Sequence, residues 1–216
     1  VNDDNLVLPQ MSINDVSVTE GNAGTKLATF TVSLSAASGS PVSFTVDATN
    51  GIANAGVDFE PYSADLTIPP GETSVPVSVV VFGDTKAELD EFFQVVISNV
   101  VGANIGLDKS GTGTIVNDDT PALSIRDVST TEGNAGTKSL TFTMSLSGPS
   151  PSPVSYDLRT VGGNATAGVD YVAVPSFRQT IPAGQTSATL SVTINGDTTT
   201  EPDEIFYVDA QNISGA

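Results

Sequence analysis

The chain has 216 residues, with 7 Lys and Arg against 25 Asp and Glu and a formal charge of -18, a balance that excludes nucleic acid and anionic membrane surfaces and favours cations or basic partners. It contains no His and no Cys, which removes Ser-His-Asp and Cys-His nucleophilic sites, imidazole general bases and thiolate metal centres. At 38% hydrophobic residues it is no disordered acidic tail.

No apolar run approaches the roughly 18 residues that a membrane helix needs, so membrane insertion is not expected. The opening VNDDNLVLPQ has neither a basic nor an apolar leader region, so no secretory signal is expected there. Internal repetition dominates the rest. SINDVSVTEGNAGTKLATFTVSLS from Ser12 returns as SIRDVSTTEGNAGTKSLTFTMSLS from Ser124, an offset of 112. ANAGVDFE pairs with ATAGVDYV, and IPPGETSVPVSVVVFGDTKAELDEFF with IPAGQTSATLSVTINGDTTTEPDEIF after a slip of one. VNDD occurs at Val1 to Asp4 and again at Val116 to Asp119. The expected organisation is a tail of a preceding repeat at 1–4, a first repeat at 5–119, and a second at 120–216 that lacks its last strand, cut from a longer tandem array.

Within the first repeat the periodicity is two, rich in Val, Thr and Phe, with Gly, Pro, Asn or Asp between runs. Strands are predicted, in chain order, at A 12–19, B 27–35, C 41–48, D 64–69, E 73–82, F 91–99 and G 111–117. In F, Phe93, Val95 and Ile97 face inward and Gln94 and Ser98 face water. Asp15 and its counterpart Asp127 lie within A and face solvent. The glycines of TEGNAGT supply positive φ in the A to B turn, and Phe92, Phe93, Phe206 and Tyr207 serve packing. No segment has helical periodicity over ten residues or more. The fold class is therefore all-β: tandem immunoglobulin-like seven-stranded antiparallel β-sandwiches.

Strand parity sorts the acids. The chain reverses at each turn, so the ends of A, C, E and G share one pole. That pole collects Glu20, Asp58, Glu60, Asp84, Glu88, Asp90, Glu91, Asp118 and Asp119, nine carboxylates, while the other receives only Glu72 and Asp108. In the second repeat the same pole collects Glu132, Asp170, Asp197, Glu201, Asp203 and Glu204. Like charges crowded together raise one another's pKa and call for neutralisation. Lys86 is the only base in the E to F loop, and Thr199 replaces it in the second repeat. Hard divalent cations suit an all-oxygen site, and the absence of His and Cys disfavours zinc and copper. DTKAELDE is no EF-hand, since it lacks the glycine at position six and flanking helices, so any site is assembled from separate loops.

The ordered set VTEGNAG, AGVDFEP, IPPGETS, GDTKAELDEFFQVVISNV and GTGTIVNDD resembles the Calx-beta domain, the repeat found in sodium/calcium exchanger regulatory loops and in many bacterial surface proteins. The resemblance covers essentially the whole chain and implies Ca2+ binding at the acidic pole. The ligand positions it implies are Glu20, Asp58, Asp84, Glu88, Glu91, Asp118 and Asp119, with Lys86 as a backbone-carbonyl ligand. In the second repeat they are Glu132, Asp170, Asp197, Glu201 and Glu204. Richly loaded members carry a run of aspartates where this chain has Gly83 before Asp84 and Thr85 after it, so fewer ions are expected here.

The expected function is a calcium-stiffened spacer or adhesion segment of an extracellular or cell-surface protein, because Asp118 and Asp119 directly precede the short Pro-containing linker Thr120 to Leu123. A regulatory calcium sensor coupled to an attached domain and a calcium-dependent carbohydrate-binding module are the alternatives. Expected partners are calcium ions, neighbouring repeats and another protein or a glycan. With no Trp to stack a sugar, catalysis by paired carboxylates is not expected. The open edge left beside strand F of the second repeat is expected to recruit another chain.

Overall fold

In a computed structural model, residues 8–216 are described; the expected tail of a preceding repeat, Val1 to Asp4, lies outside them. Every regular element among the described residues is a strand, and no helix there is long and apolar enough to cross a membrane. Contacts divide the chain into two units: one runs to Thr85 and resumes over Asp90–Asp119, and the other comprises Lys86–Leu89 with Thr120–Ala216.

The first unit contains β1 (Gln10–Ile13), β2 (Val16–Thr19), β3 (Gly24–Leu34), β4 (Val42–Asn50), β5 (Ser63–Ile68), β6 (Ser74–Gly83), β7 (Glu91–Val101), β8 (Asn104–Ile105) and β9 (Ser110–Val116). Two sheets form, ordered β6-β3-β1-β8 and β2-β9-β7-β4-β5. Predicted strand A is thus not one strand. Its first half pairs antiparallel with β3, and its second half pairs parallel with β9 in the other sheet. The break falls at Asn14 and Asp15, whose side chains replace ladder bonds as the chain crosses: Asn14 Oδ1 accepts from Thr31 N–H at 2.5 Å and Asp15 Oδ1 from Thr112 N–H at 2.7 Å. Asp15 is exposed, as expected, but it sits in this break rather than within a strand.

Alternation along β7 buries Phe93, Val95 and Ile97 against Phe30, Val32, Phe44, Val46 and Phe59. Gln94 and Ser98 are half-buried rather than solvated. Gln94 Nε2 donates to Thr112 Oγ1 of the neighbouring strand at 3.1 Å. Phe93 stacks on Phe59 at 4.5 Å and meets Phe30 edge-on at 5.9 Å, arrangements that add to plain area burial. Gly113 lies on the remaining face of that ring; a Cβ there would stand 2.4 Å from Phe93 Cζ. Only glycine lets β9 close over the core at this point.

The second unit contains β10 (Leu123–Ile125), β11 (Thr137–Leu146), β12 (Val154–Gly162), β13 (Phe177–Ile181), β14 (Ser187–Asn195) and β15 (Phe206–Ser214). Its sheets are β10-β11-β14 and β13-β12-β15. The aromatic trio is reproduced by Phe142, Tyr171 and Phe206, with Tyr171 stacked on Phe206 at 4.3 Å and Phe142 edge-on at 5.8 Å. Among the described residues no strand lies on the outer side of β15, and the counterpart of β2 is not a strand. Tyr207, expected to pack, is 55% exposed, because it lies on the bare side of β15.

One buried group is anomalous. Tyr156, where the first repeat has Phe44, is fully buried and its hydroxyl has no hydrogen-bond partner, and burial pushes that hydroxyl's pKa up. An unmade buried hydrogen bond costs about 1–3 kcal/mol, so Tyr156→Phe is expected to stabilise the second repeat by about 1 kcal/mol. Urea denaturation would show this as a higher midpoint at unchanged slope.

Candidate metal centre

The parallel pairing of β2 with β9 sets Thr19 opposite Val116. Both strands therefore finish at the same pole, and the next residues converge: Glu20 after β2, Asp118 and Asp119 after β9. The Glu20 N–H continues the ladder onto Val116 O at 3.2 Å. Carboxylate oxygens of Glu20, Asp118 and Asp119 lie within 4.8 Å of one another. Glu20 and Asp119 are 6% and 7% exposed, an unusual depth for carboxylates.

Loop hydrogen bonds hold this arrangement. Gly21 N–H donates to Asp118 Oδ1 at 3.0 Å and Asn22 Nδ2 to Asp119 Oδ1 at 2.7 Å. Asn117 Nδ2 donates to the Asp119 carbonyl at 3.0 Å, and Asn117 N–H to Asp90 Oδ1 at 3.2 Å. The turn that presents Gly21 and Asn22 uses positive φ at Gly21 and Gly24, 79° and 78°, as the glycine pattern led one to expect. Asp119 Oδ2 is buried with no hydrogen-bond partner. Burial, then the negative charges of Asp118 and Asp84, hold the Asp119 carboxyl above its ordinary range, and the Asn22 bond offsets this only in part.

Other predicted positions fall differently. Asp84 is close enough to act on Asp119 electrostatically. Asp58 is half-buried, and its Oδ2 accepts from Asn54 N–H at 2.7 Å, capping its own turn, while its carbonyl accepts from Phe82 N–H at 2.9 Å. Glu91 opens β7 opposite Ile115. Lys86 and Glu88 lie in the segment grouped apart from the rest of the first unit, where Lys86 Nζ pairs with Glu88 Oε1. Gly83 shows why the loop carries no extra aspartate there. A Cβ would stand 2.2 Å from Gly21 O and 2.7 Å from Glu20 O, so any side chain would force the ligand turn apart.

In the second unit a different trio converges. Carboxylate oxygens of Asp170, Glu201 and Glu204 lie within 4.8 Å of one another. These are the counterparts of Asp58, Glu88 and Glu91. Burial first, then Asp170, Asp197 and Glu132, raise the Glu201 pKa. Glu204 is raised by burial, by a carboxyl–carboxylate hydrogen bond with Asp170, and by the charges of Asp170, Glu201 and Glu132. The other acids predicted in this repeat thus bear on Glu201 and Glu204: Glu132 and Asp170 on both, Asp197 on Glu201. Asp170 Oδ2 also accepts from Thr166 N–H at 2.6 Å, repeating the Asp58 turn. Sequence reasoning passed over Asn22 and Asn117 and placed Asp90 at the pole without foreseeing its bond to Asn117; the hydrogen bonds of these three residues set the ligand geometry. The repeat of Asn22 as Asn134 was the available signal for the first of these.

The fit of a hard cation can be judged from the donors. The set is all carboxylate, two members are buried, and one oxygen, Asp119 Oδ2, is orphaned. A divalent ion would supply the missing partner of Asp119 Oδ2 and offset the mutual repulsion.

Fold and site together define a tandem of all-β sandwich repeats, each with an acidic pole. The chain belongs to the Calx-beta domain family, whose model matches residues 3–120 and 117–214. Among solved structures, CBD12 from CALX1.2 is 21% identical with a TM-score of 0.49, covering 96% of this chain and 82% of that one. The calcium binding domain CBD12 of CALX1.1 is 20% identical with a TM-score of 0.49, covering 95% and 81%. The apo-form Calx CBD1 domain is 24% identical with a TM-score of 0.45, covering 52% and 99%. Comparison with curated proteins gives no match.

Proposed function

We propose that each repeat binds Ca2+ at its acidic pole and that the chain serves as a calcium-stiffened spacer or adhesion segment of an extracellular or surface protein. The observation that carries the metal assignment is the buried, unpartnered Asp119 Oδ2 beside Glu20 and Asp118. Membership of the Calx-beta family supports it. In this reading Glu20, Asp118 and Asp119, with Asp84 beside them, hold one ion. Asp170, Glu201 and Glu204, with Glu132 and Asp197, hold another. The domain limits that go with it are 5–119 and 120–216. The pole has a binding role and no catalytic one.

The mechanical part rests on sequence adjacency. Asp118 and Asp119 run directly into Thr120–Leu123, a linker too short and too Pro-constrained to act as a free coil. Neutralising the pair removes repulsion next to that linker. Calcium calorimetry on metal-stripped protein, paired with small-angle scattering, tests both parts. Saturable calcium binding that Asp119→Ala weakens at least tenfold is expected for the metal, since removing one of few charged ligands is costly. A calcium-dependent change in the scattering profile is expected for the spacer. Binding at micromolar calcium with an unchanged profile would instead favour the sensor reading, and no binding would sink the metal assignment.

A further inference from the structure

We propose that the outer face of β3 and β6 in the first repeat docks a basic amphipathic helix of a partner protein, with Leu27, Val80 and Phe82 as the apolar floor and Glu60 as the acid that meets its Lys or Arg. Alternation sends Ala28, Phe30 and Val32 of β3 and Val77, Val79 and Val81 of β6 into the core, so the residues between them look outward. Leu27 stands directly opposite Val80, and Phe82 follows on the same face of β6. Leu27 is 61% exposed. Val80 and Phe82 are half-buried, yet none of the three belongs to the core or packs against it. A short run of chain borders the patch. Glu60 N–H donates to Val80 O at 2.8 Å and Phe82 N–H to Asp58 O at 2.9 Å, with the buried Phe59 between them bridged to Val81. Glu60 and Asp58 therefore continue the rows of Val80 and Phe82 on the outward face, and Glu60 is exposed.

The second repeat builds the same rows from other residues. Ser139 stands opposite Thr193, Val172 N–H donates to Thr193 O at 2.8 Å, and Asn195 N–H donates to Asp170 O at 2.9 Å. Ser139, Thr193 and Asn195 thus take the places of Leu27, Val80 and Phe82, and Val172 takes that of Glu60. Asn195 also serves its own repeat, its Nδ2 donating to Val169 O at 2.8 Å. The sandwich forms with a polar face here, so nothing in the fold demands the apolar trio of the first repeat. Apolar residues grouped on an outer face and rimmed by charge mark a contact surface.

The chemistry of the partner follows from what surrounds the patch. Its backbone is already engaged: β3 lies between β6 and β1, and residues 58–60 occupy the other side of β6 beside Val80 and Phe82. No strand can be added at that place, so the partner must satisfy its own backbone and offer side chains only, as an amphipathic helix does. The rim is acidic, which calls for bases flanking the apolar stripe. A second copy of this chain, with a charge of -18, would be repelled. Glu60 belongs to neither acid trio of the poles, so its charge is present with or without an ion there, and the proposal stands apart from the calcium assignment.

The test uses the whole chain in chelator and a labelled synthetic peptide, LKKLLKKLLKKL, whose leucines form one helical stripe with lysines beside it. Fluorescence anisotropy is expected to show saturable binding that falls at least about tenfold when Leu27→Ser, Val80→Thr and Phe82→Asn are combined. That variant copies the second repeat and leaves the net charge at -18, so attraction to charge alone would not change. Glu60→Val is expected to weaken binding at low salt and to matter less at high salt. The reverse graft of Ser139→Leu, Val172→Glu, Thr193→Val and Asn195→Phe is expected to add a second peptide site, and it decides the matter should the first variant fail to fold. Equal binding by parent and triple variant, equal binding of the peptide with serine in place of leucine, or a parent dimer in sedimentation that the triple variant abolishes would overturn the proposal.

Discussion

Removing calcium with a chelator is expected to lower the melting temperature of the first repeat by on the order of 10 °C, from the stabilisation of about 2.7 kcal/mol that a ligand at a hundredfold excess over its dissociation constant confers on a small domain. The loss is large because the apo pole is held together against its own charge. Glu20 and Asp119 are buried carboxylates, and burial together with Asp118 and Asp84 raises the Asp119 pKa. A carboxyl whose folded pKa is raised contributes stability that is full below its ordinary pKa and is lost as pH rises through the raised value. Calcium-free protein is therefore expected to melt higher as pH is lowered from 7 toward the carboxylate range, and calcium-loaded protein is not. Asp119→Asn sharpens the expectation. It keeps the oxygen that accepts from Asn22 and removes the charge, so this variant is expected to be more stable than the parent without calcium and to respond less to calcium. Melts with and without chelator at two pH values read all three effects. A melting temperature indifferent to chelator would contradict the account.

Phe93→Ala is expected to cost the first repeat about 3–5 kcal/mol, the range for truncating a fully buried Phe, while Phe206→Ala is expected to cost the second repeat less than half as much. The two rings have the same neighbours, stacked on Phe59 or Tyr171 and edge-on to Phe30 or Phe142. They differ in their cover. Phe93 is fully buried beneath Gly113, whereas Phe206 is half-buried and faces the cleft beside β15. A ring that already meets solvent on one face loses fewer contacts on truncation and leaves a smaller enclosed cavity. Urea denaturation of both variants gives the comparison. Equal losses would mean that the open face of Phe206 is covered in solution.

Much of this was legible in the sequence, because repetition and alternation are one-dimensional signals. The 112-residue offset, the period of two and the turn glycines define strands such as β3, β4, β6 and β7 to within two or three residues. Parity then assigns each loop to a pole, since a strand pair reverses the chain whatever its neighbours do. That is how Glu20, Asp118 and Asp119 could be placed at one end together.

Tertiary structure alone decided the rest. Strand A divides between two sheets at Asn14 and Asp15, a choice made by hydrogen bonds to Thr31 and Thr112, far away in sequence. Parity fixes the pole but not the position around it, so it could not foresee that Glu20, Asp118 and Asp119 close up in the first repeat while Asp170, Glu201 and Glu204 do so in the second. Nor could it foresee that Lys86 engages Glu88, or that Tyr207 stands exposed. Carboxylates meet at a few ångströms only when strand register, loop hydrogen bonds and the cover over the core are all set, and each of those depends on residues tens of positions apart. The sequence by itself determined a repeated β-sandwich with acid gathered at one end; the register of β2 against β9 and the bonds from Gly21, Asn22 and Asn117 decided which of those acids can share an ion.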